Sequence, residues 1–254
     1  MMQPILYAKD VVKRYGKFQA VSGVTLCVQP HTIHSVIGPN GAGKTTLFHT
    51  LTGTVPITSG SILLNDKEVA GLADYERVQL GMARSFQVTS LFQTLTVREN
   101  LRVAAQGVQP NQALHFWSTS LLQGTHDDLI NEVVERVGLK QSLDRLSGQL
   151  SHGQQRRLEV GMALAARPSI IFLDEPTSGM GVDDIVGMKE IVRSLRDTLT
   201  VLLIEHNMDI VMDISDTITV MHLGKVLAEG QPEVVKANPV VRQAYLGNMI
   251  TGGA

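Results

Sequence analysis

The chain has 254 residues, which is enough to bury a substantial core and fits one large domain or one domain carrying a smaller lobe. Hydrophobic residues make up 43% and charged residues 18%, a globular composition that excludes a low-complexity or disordered chain. The net charge of −2 gives no global basic signal for nucleic acid, and no run of like charges implies a charged tail.

In chain order, the segment 1–10 mixes acid and base and lacks the apolar stretch of a signal peptide. Pro4 to Ala8 and Val21 to Val28 are apolar-rich, bounded by polar or glycine positions, and read as strands. Cys27, the single cysteine, cannot form an internal disulfide and suits a reducing compartment. It sits in the apolar alternation Val24, Leu26, Val28 and reads as a small buried hydrophobe. His31 to Ile37 is a short run ending in a glycine-rich turn, and a helix is predicted from Lys44 to Thr52. Strand signals resume at Ser61 to Leu64 and at Met82 to Phe86. His31 and His34 flank apolar sequence without the further clustered ligands that a metal site needs.

From Thr96 the pattern turns helical. Thr96 with Glu99 fits a capping box, opening a helix to about Gln106. Asp127 to Val137 sets Leu129, Val133, Val134 and Val137 at helical spacing, with Gly138 as the stop. Gly107 to Thr125 between them is less regular, and its Phe116-Trp117 pair reads as packing within a helical lobe set into a strand–helix chain. After Ser151 a helix is predicted from Gly153 to Ala166, ended by Arg167-Pro168. Ile170 to Leu173 and Val201 to Ile204 are short, fully apolar strands, and Asp183 is predicted to cap the helix between them, which runs to about Asp197. Fully apolar strands separated by helices mean a parallel sheet covered on both faces. The apolar runs fall far short of the ~20 residues that span a membrane, so a soluble chain is expected, with any membrane role supplied by a partner.

Gly38-Pro39-Asn40-Gly41-Ala42-Gly43-Lys44-Thr45 matches the phosphate-binding P-loop pattern in full, after an apolar strand and before a helix. The glycines let the backbone wrap closely, so that its N–H groups point at phosphate oxygens, and the helix N-terminus adds positive field. Lys44 is expected to reach the β- and γ-phosphates, Thr45 to hold Mg²⁺ through its hydroxyl, and Thr46 to belong to the same cradle. By itself this loop says only nucleoside triphosphate. A second element narrows the chemistry: Ile170 to Leu173 runs into Asp174-Glu175. At the C-terminal end of a parallel strand these carboxylates lie beside the P-loop, Asp174 to hold Mg²⁺ and Glu175 to polarise the attacking water.

Leu150-Ser151-His152-Gly153-Gln154-Gln155-Arg156-Arg157 resembles the signature motif of ABC ATPases, and its spacing to the Asp174-Glu175 strand end matches that family over nearly the whole chain. Physically, Ser151 and Gly153 open a helix whose hydroxyl, N–H groups and dipole make an anion site. The resemblance implies an α/β fold: a P-loop NTPase core with a mainly parallel sheet, an N-terminal antiparallel β subdomain and an inserted helical subdomain. It implies one domain over 1–254, with about 1–90 and 165–254 as the catalytic lobe and about 91–164 as the helical lobe. It further implies that Tyr15 stacks on adenine, that Gln87 links the Mg²⁺ site to the membrane partner, and that His206 contacts the γ-phosphate. Two such cassettes pair head to tail, so that Ser151, Gly153 and Gln154 of one face the ATP on the P-loop of the other. Two departures bear on coupling between the sites: His152 replaces the usual first glycine of the signature, and Gly181 stands where aspartate is frequent. His31 occupies a turn position where relatives often carry glycine.

Ala83-Arg84-Ser85-Phe86-Gln87, Leu91-Phe92, Leu95 to Asn100, Ile204 to Met208 and Ala244-Tyr245-Leu246-Gly247 are similar to the ATPase subunits of branched-chain amino acid importers. The same subfamily includes urea, amide and aromatic-acid importers, and the histidine in the signature resembles the urea branch. The resemblance implies a motor on the cytoplasmic face of the membrane, working with a second ABC ATPase subunit in a hetero- or homodimer, with permease subunits and with an external solute-binding protein. A soluble ABC ATPase acting on ribosomes or DNA fits less well, because this length holds one cassette and no sustained heptad pattern is present.

Overall fold

The computed structural model describes residues 3–85, 91–107 and 122–250. The strands are β1 (Leu6–Tyr15), β2 (Phe18–Val28), β3 (Ile33–Ile37), β4 (Ser59–Leu64), β5 (Lys67–Glu68), β6 (Met82–Arg84), β7 (Ile170–Asp174), β8 (Thr200–Ile204), β9 (Thr217–His222) and β10 (Lys225–Gly230). The helices are α1 (Lys44–Thr52), α2 (Asp74–Gln79), α3 (Val97–Gln106), α4 (Leu122–Arg136), α5 (His152–Ala165), α6 (Val182–Leu195), α7 (Met208–Ile214), α8 (Pro232–Ala237) and α9 (Pro239–Ile250).

The strands form two sheets. One is antiparallel, in the order β2-β1-β4-β5, and is built largely from the N-terminal segment. The other has the order β10-β9-β3-β8-β7-β6 and is parallel except for β10 at its edge. The period of two explains how the parallel sheet is covered. Ile171, Leu173, Val201 and Leu203 point to one face and join the apolar cluster of α3, α4, α5 and α6. Ile170, Phe172, Leu202 and Ile204 point to the other, against α1 and the antiparallel sheet. There the Phe48 ring of α1 meets Phe172 edge-on, centroids 5.3 Å apart.

Local chemistry explains the helix starts. Thr96 Oγ1 accepts from Glu99 N, and Glu99 Oε2 accepts from Thr96 N at 2.7 Å, closing the capping box that opens α3. Ser151 and Gln154 repeat this at α5, where Ser151 Oγ accepts from Gln154 N at 3.2 Å and Gln154 Oε1 from Ser151 N at 3.1 Å.

Several expectations are corrected. Gly181, not Asp183, is the N-cap of α6; Asp183 lies in the first helical turn, where its charge faces the positive helix end. Cys27 is half-buried, because it alternates with Val24, Leu26 and Val28 and faces the opposite side of β2. The first strand runs on to Tyr15, well past Ala8. The strand at Met82 ends at Arg84; Phe86, Gln87 and the Phe116-Trp117 pair lie outside the described residues. α2, α7–α9, β5 and the β9–β10 hairpin had no counterpart in the sequence reading. That hairpin turns on Leu223 (φ 47°) and Gly224 (φ 77°), the left-handed pair that a two-residue connection of right-twisted strands requires. His31 has φ 56°, which explains why a glycine suits that turn. Among the described residues no helix is long and apolar enough to cross a membrane.

Candidate functional site

β3 delivers the chain into the loop 38–43, and α1 begins directly after it. Two of its glycines are dictated by neighbouring backbone. A Cβ on Gly38 would stand 2.2 Å from the Met221 carbonyl oxygen, and one on Gly43 2.4 Å from that of Ala20. Gly43 has φ 98° and starts α1 from the left-handed region. Gly224 N donates to Ala42 O at 2.9 Å and Ser22 N to Gly224 O at 2.8 Å, so the β9–β10 turn and β2 pin the loop from outside. Lys44 is buried, and its ammonium donates to Gly38 O (2.7 Å) and Pro39 O (3.1 Å). Burial pushes its pKa down, while the Glu175 and Asp174 carboxylates work against that shift. Thr45 is exposed at the start of α1, Thr46 half-buried beside it, and Asn40 and Gly41 are open to solvent.

The acidic pair does not abut the P-loop strand directly. β8 lies between β3 and β7, with Asp174 in register with Ile204 and Val36 in register with Ile204 on its other side. The three strand ends therefore present Gly38, Glu205-His206 and Asp174-Glu175 along one edge, the crevice at the carboxyl ends of a parallel sheet where ligands bind. Asp174 is buried, and its Oδ2 has no hydrogen-bond partner among the described residues. Burial pushes its carboxyl up, opposed chiefly by Arg84, whose Nη2 stands 3.8 Å from Oδ2. Glu175 has φ 48°, a left-handed conformation that costs a residue with a side chain about 1–3 kcal/mol and clusters at functional positions. Its Oε1 lies 3.5 Å from His206 Nδ1.

Glu205 holds this edge together, and sequence reasoning did not single it out. Fully buried, its carboxylate accepts from Thr177 N (3.3 Å), the Thr177 hydroxyl and His206 N (3.1 Å), tying the loop after β7 to the loop after β8. A charged residue at a strand end followed by histidine was the available signal. Arg84 was also missed as a site residue.

Ser151 and His152 are exposed at the start of α5. Gly153 is buried against α6, where an added Cβ would stand 2.3 Å from the Asp184 carboxyl. The His152 ring packs over Gly179, in the loop after Glu175, where an added Cβ would meet it at 3.3 Å. One departure from the signature pattern therefore touches the stretch that carries the other, Gly181. Tyr15 is exposed at the end of β1, with the Lys13 ammonium 5.0 Å from its ring centroid on one face. Gln87 lies outside the described residues. A cleft of about 380 Å³ lies between the β6–α2 side and helices α3 and α5, lined by Tyr75, Met82, Arg84, Ala104, Met162 and Ala166 among others.

The family described as "ABC transporter" matches residues 21–178. The chain belongs to the ABC transporter family. It is an ATPase of that family, and its C-terminal residues 225–249 match the family described as "Branched-chain amino acid ATP-binding cassette transporter". It is similar to the high-affinity branched-chain amino acid transport ATP-binding protein LivG of Escherichia coli K12, 39% identical over 97% of this chain and 99% of that one. BraF of Pseudomonas aeruginosa, which carries the same description, is 40% identical over the same shares. Among solved structures, an ATP-binding cassette of an ABC transporter in its ADP conformation superposes with a TM-score of 0.83 at 30% identity, over 96% of this chain and 99% of that one. A nucleotide-free cassette gives 0.80 at 28% identity, over 95% and 98%. These likenesses fit the P-loop, acidic strand end and signature helix found here on one α/β scaffold.

Proposed function

We propose that this chain is the ATP-hydrolysing motor of an importer for branched-chain amino acids, seated on the cytoplasmic face of the membrane. The observation that carries the reading is the convergence of Lys44, Asp174, Glu175 and His206 along one sheet edge, with a serine-capped helix start exposed elsewhere on the chain. The solute rests on the descriptions of LivG and BraF and on the C-terminal family match. Urea, amides and aromatic acids are the alternatives within the same reading.

In this account Tyr15 offers its ring face to adenine, while the N–H groups of 38–46 and Lys44 grip the phosphates. Asp174 Oδ2, buried without a hydrogen-bond partner, and the exposed Thr45 hydroxyl have the oxygen chemistry that Mg²⁺ takes. When bound, Mg²⁺ supplies positive charge against the phosphate oxygens. Gln87 is assigned with them to the metal site. Glu175 takes the proton of the attacking water, and His206, held by the Glu205 lock, faces both Glu175 and the γ-phosphate. Ser151, Gly153 and Gln154 face the ATP of a second cassette, so a closed pair satisfies the γ-phosphate from both sides, and ATP favours that pair. The whole chain, 1–254, acts as one domain whose helical lobe, about 91–164, carries the signature. Permease subunits carry the solute across the membrane, and an external binding protein delivers it.

The deciding experiment is reconstitution with permease subunits and binding protein in liposomes. ATP-driven uptake of a branched-chain amino acid is expected, and uptake of urea or an aromatic acid in its place would reassign the solute. No ATP-driven uptake with any such set would overturn the transport reading.

A further inference from the structure

Arg84 sits where two surfaces of the protein meet. It ends β6, in register with Phe172 of β7, and Asp174 lies two residues further along that neighbouring strand. Its guanidinium reaches toward Asp174, Nη2 to Oδ2 3.8 Å, from a largely buried position. That is about an ångström longer than a charge-assisted hydrogen bond. Accordingly Asp174 Oδ2 and Arg84 Nε are both buried and without a hydrogen-bond partner among the described residues. The rest of the guanidinium is fixed: Nη1 donates to Thr54 Oγ1 at 2.9 Å, and the Phe48 ring lies 5.2 Å beneath it. On its other side the same side chain lines the inter-lobe cleft, with Thr54, Tyr75, Ala104 and Glu159.

From this geometry we infer that Arg84 is a positioning residue for the metal carboxylate. It compensates the buried charge of Asp174 from a fixed distance while leaving the Oδ2 lone pairs open. Were the fork closer, it would occupy those lone pairs; were it absent, Asp174 would lose the largest of the cationic influences on its buried charge, leaving the weaker ones of Lys44 and Arg156. Thr54 and Phe48 hold the guanidinium at that separation. The same side chain also forms part of the cleft wall. The inference rests on the reading of Asp174 as metal ligand given above.

The test measures binding of a fluorescent ATP analogue to the full chain, in EDTA and across a Mg²⁺ titration. For Arg84→Gln we expect the Mg²⁺ concentration at half-effect to rise roughly tenfold or more, the usual result of losing a group that orients a metal ligand. Binding in EDTA stays within about twofold, because the P-loop contacts are untouched. Arg84→Lys keeps the charge but loses the fork, and shows a smaller shift in the same direction. If Arg84→Gln does not fold, as judged by circular dichroism, the lysine variant carries the test alone. An unchanged Mg²⁺ dependence overturns the inference, as does an equal loss of binding in EDTA, which would make Arg84 merely structural. Asp174→Asn separates the two readings. If it weakens the Mg²⁺ dependence and the Arg84 variants do not, only the role of Arg84 falls. If it leaves that dependence intact, the assignment of Asp174 falls and this one with it.

Discussion

His206 and Glu175 face each other across the ends of adjacent strands, Nδ1 to Oε1 3.5 Å, although they lie 31 positions apart in the chain. The pairing follows from the register of β7 with β8, and from Glu205, which binds Thr177 and the His206 N–H together. Glu175 is thereby aimed along the crevice from a strained backbone position.

Glu175→Gln keeps the shape and removes the base. Steady-state ATP turnover is expected to fall at least ~100-fold, the usual contribution of a positioned general base. ATP binding persists, and the dimer that ATP favours is trapped. Phosphate release and size-exclusion chromatography with ATP check both. Unchanged turnover would remove Glu175 from the mechanism.

Lys44→Ala removes the ammonium from the loop. Nucleotide affinity is expected to drop roughly 10- to 100-fold, the range for a hydrogen bond to a charged group. Calorimetry with ATP and ADP measures it, and the loss is greater for ATP if Lys44 also touches the γ-phosphate.

Gly153→Ala drives a methyl into the Asp184 carboxyl, which lies 2.3 Å from the position the Cβ would take. The Asp184 carboxyl ends a flexible, partly exposed side chain and can swing aside, so the cost is small, about 1 kcal/mol or less, read as a slightly lower thermal midpoint. Asp184 also accepts from Arg157 Nη2 at 3.3 Å, so the strain reaches that pair. Adding Asp184→Ala relieves the overlap and recovers part of the loss; no recovery would show that the contact is not the cause.

Stability should fall on mild acidification because of His34. Its ring is buried on β3, with Nε2 2.8 Å from Thr219 Oγ1, whose hydroxyl in turn donates to Glu229 at 2.7 Å. The hydroxyl has one hydrogen, so it accepts from His34 Nε2–H. Burial lowers its pKa from 6.5 to about 4. Between those values the unfolded chain binds the proton and the folded chain does not, so stability rises with pH. Its contribution is therefore complete above about pH 6.5, is lost as pH falls toward 4, and amounts to roughly 3 kcal/mol. Urea unfolding at pH 7 and pH 4.5 should show a smaller difference for His34→Gln than for the parent; equal differences would exclude this histidine.

Much of the site was legible because its signals are local. The P-loop, the apolar run into Asp174-Glu175 and the Ser151–Gln154 capping box each lie within a few consecutive residues, where backbone sterics and short-range hydrogen bonds decide the outcome. The helix from Lys44 to Thr52 followed from the same short-range rules.

The tertiary structure decided what depends on distant partners. It placed β8 between the P-loop strand and the acidic strand, turned Cys27 away from the core, gave the α6 cap to Gly181, and made Glu205 a lock and Arg84 a neighbour of Asp174. The physical reason is that strand order and the compensation of buried charge are set by groups far apart in the chain, whose meeting no local periodicity encodes.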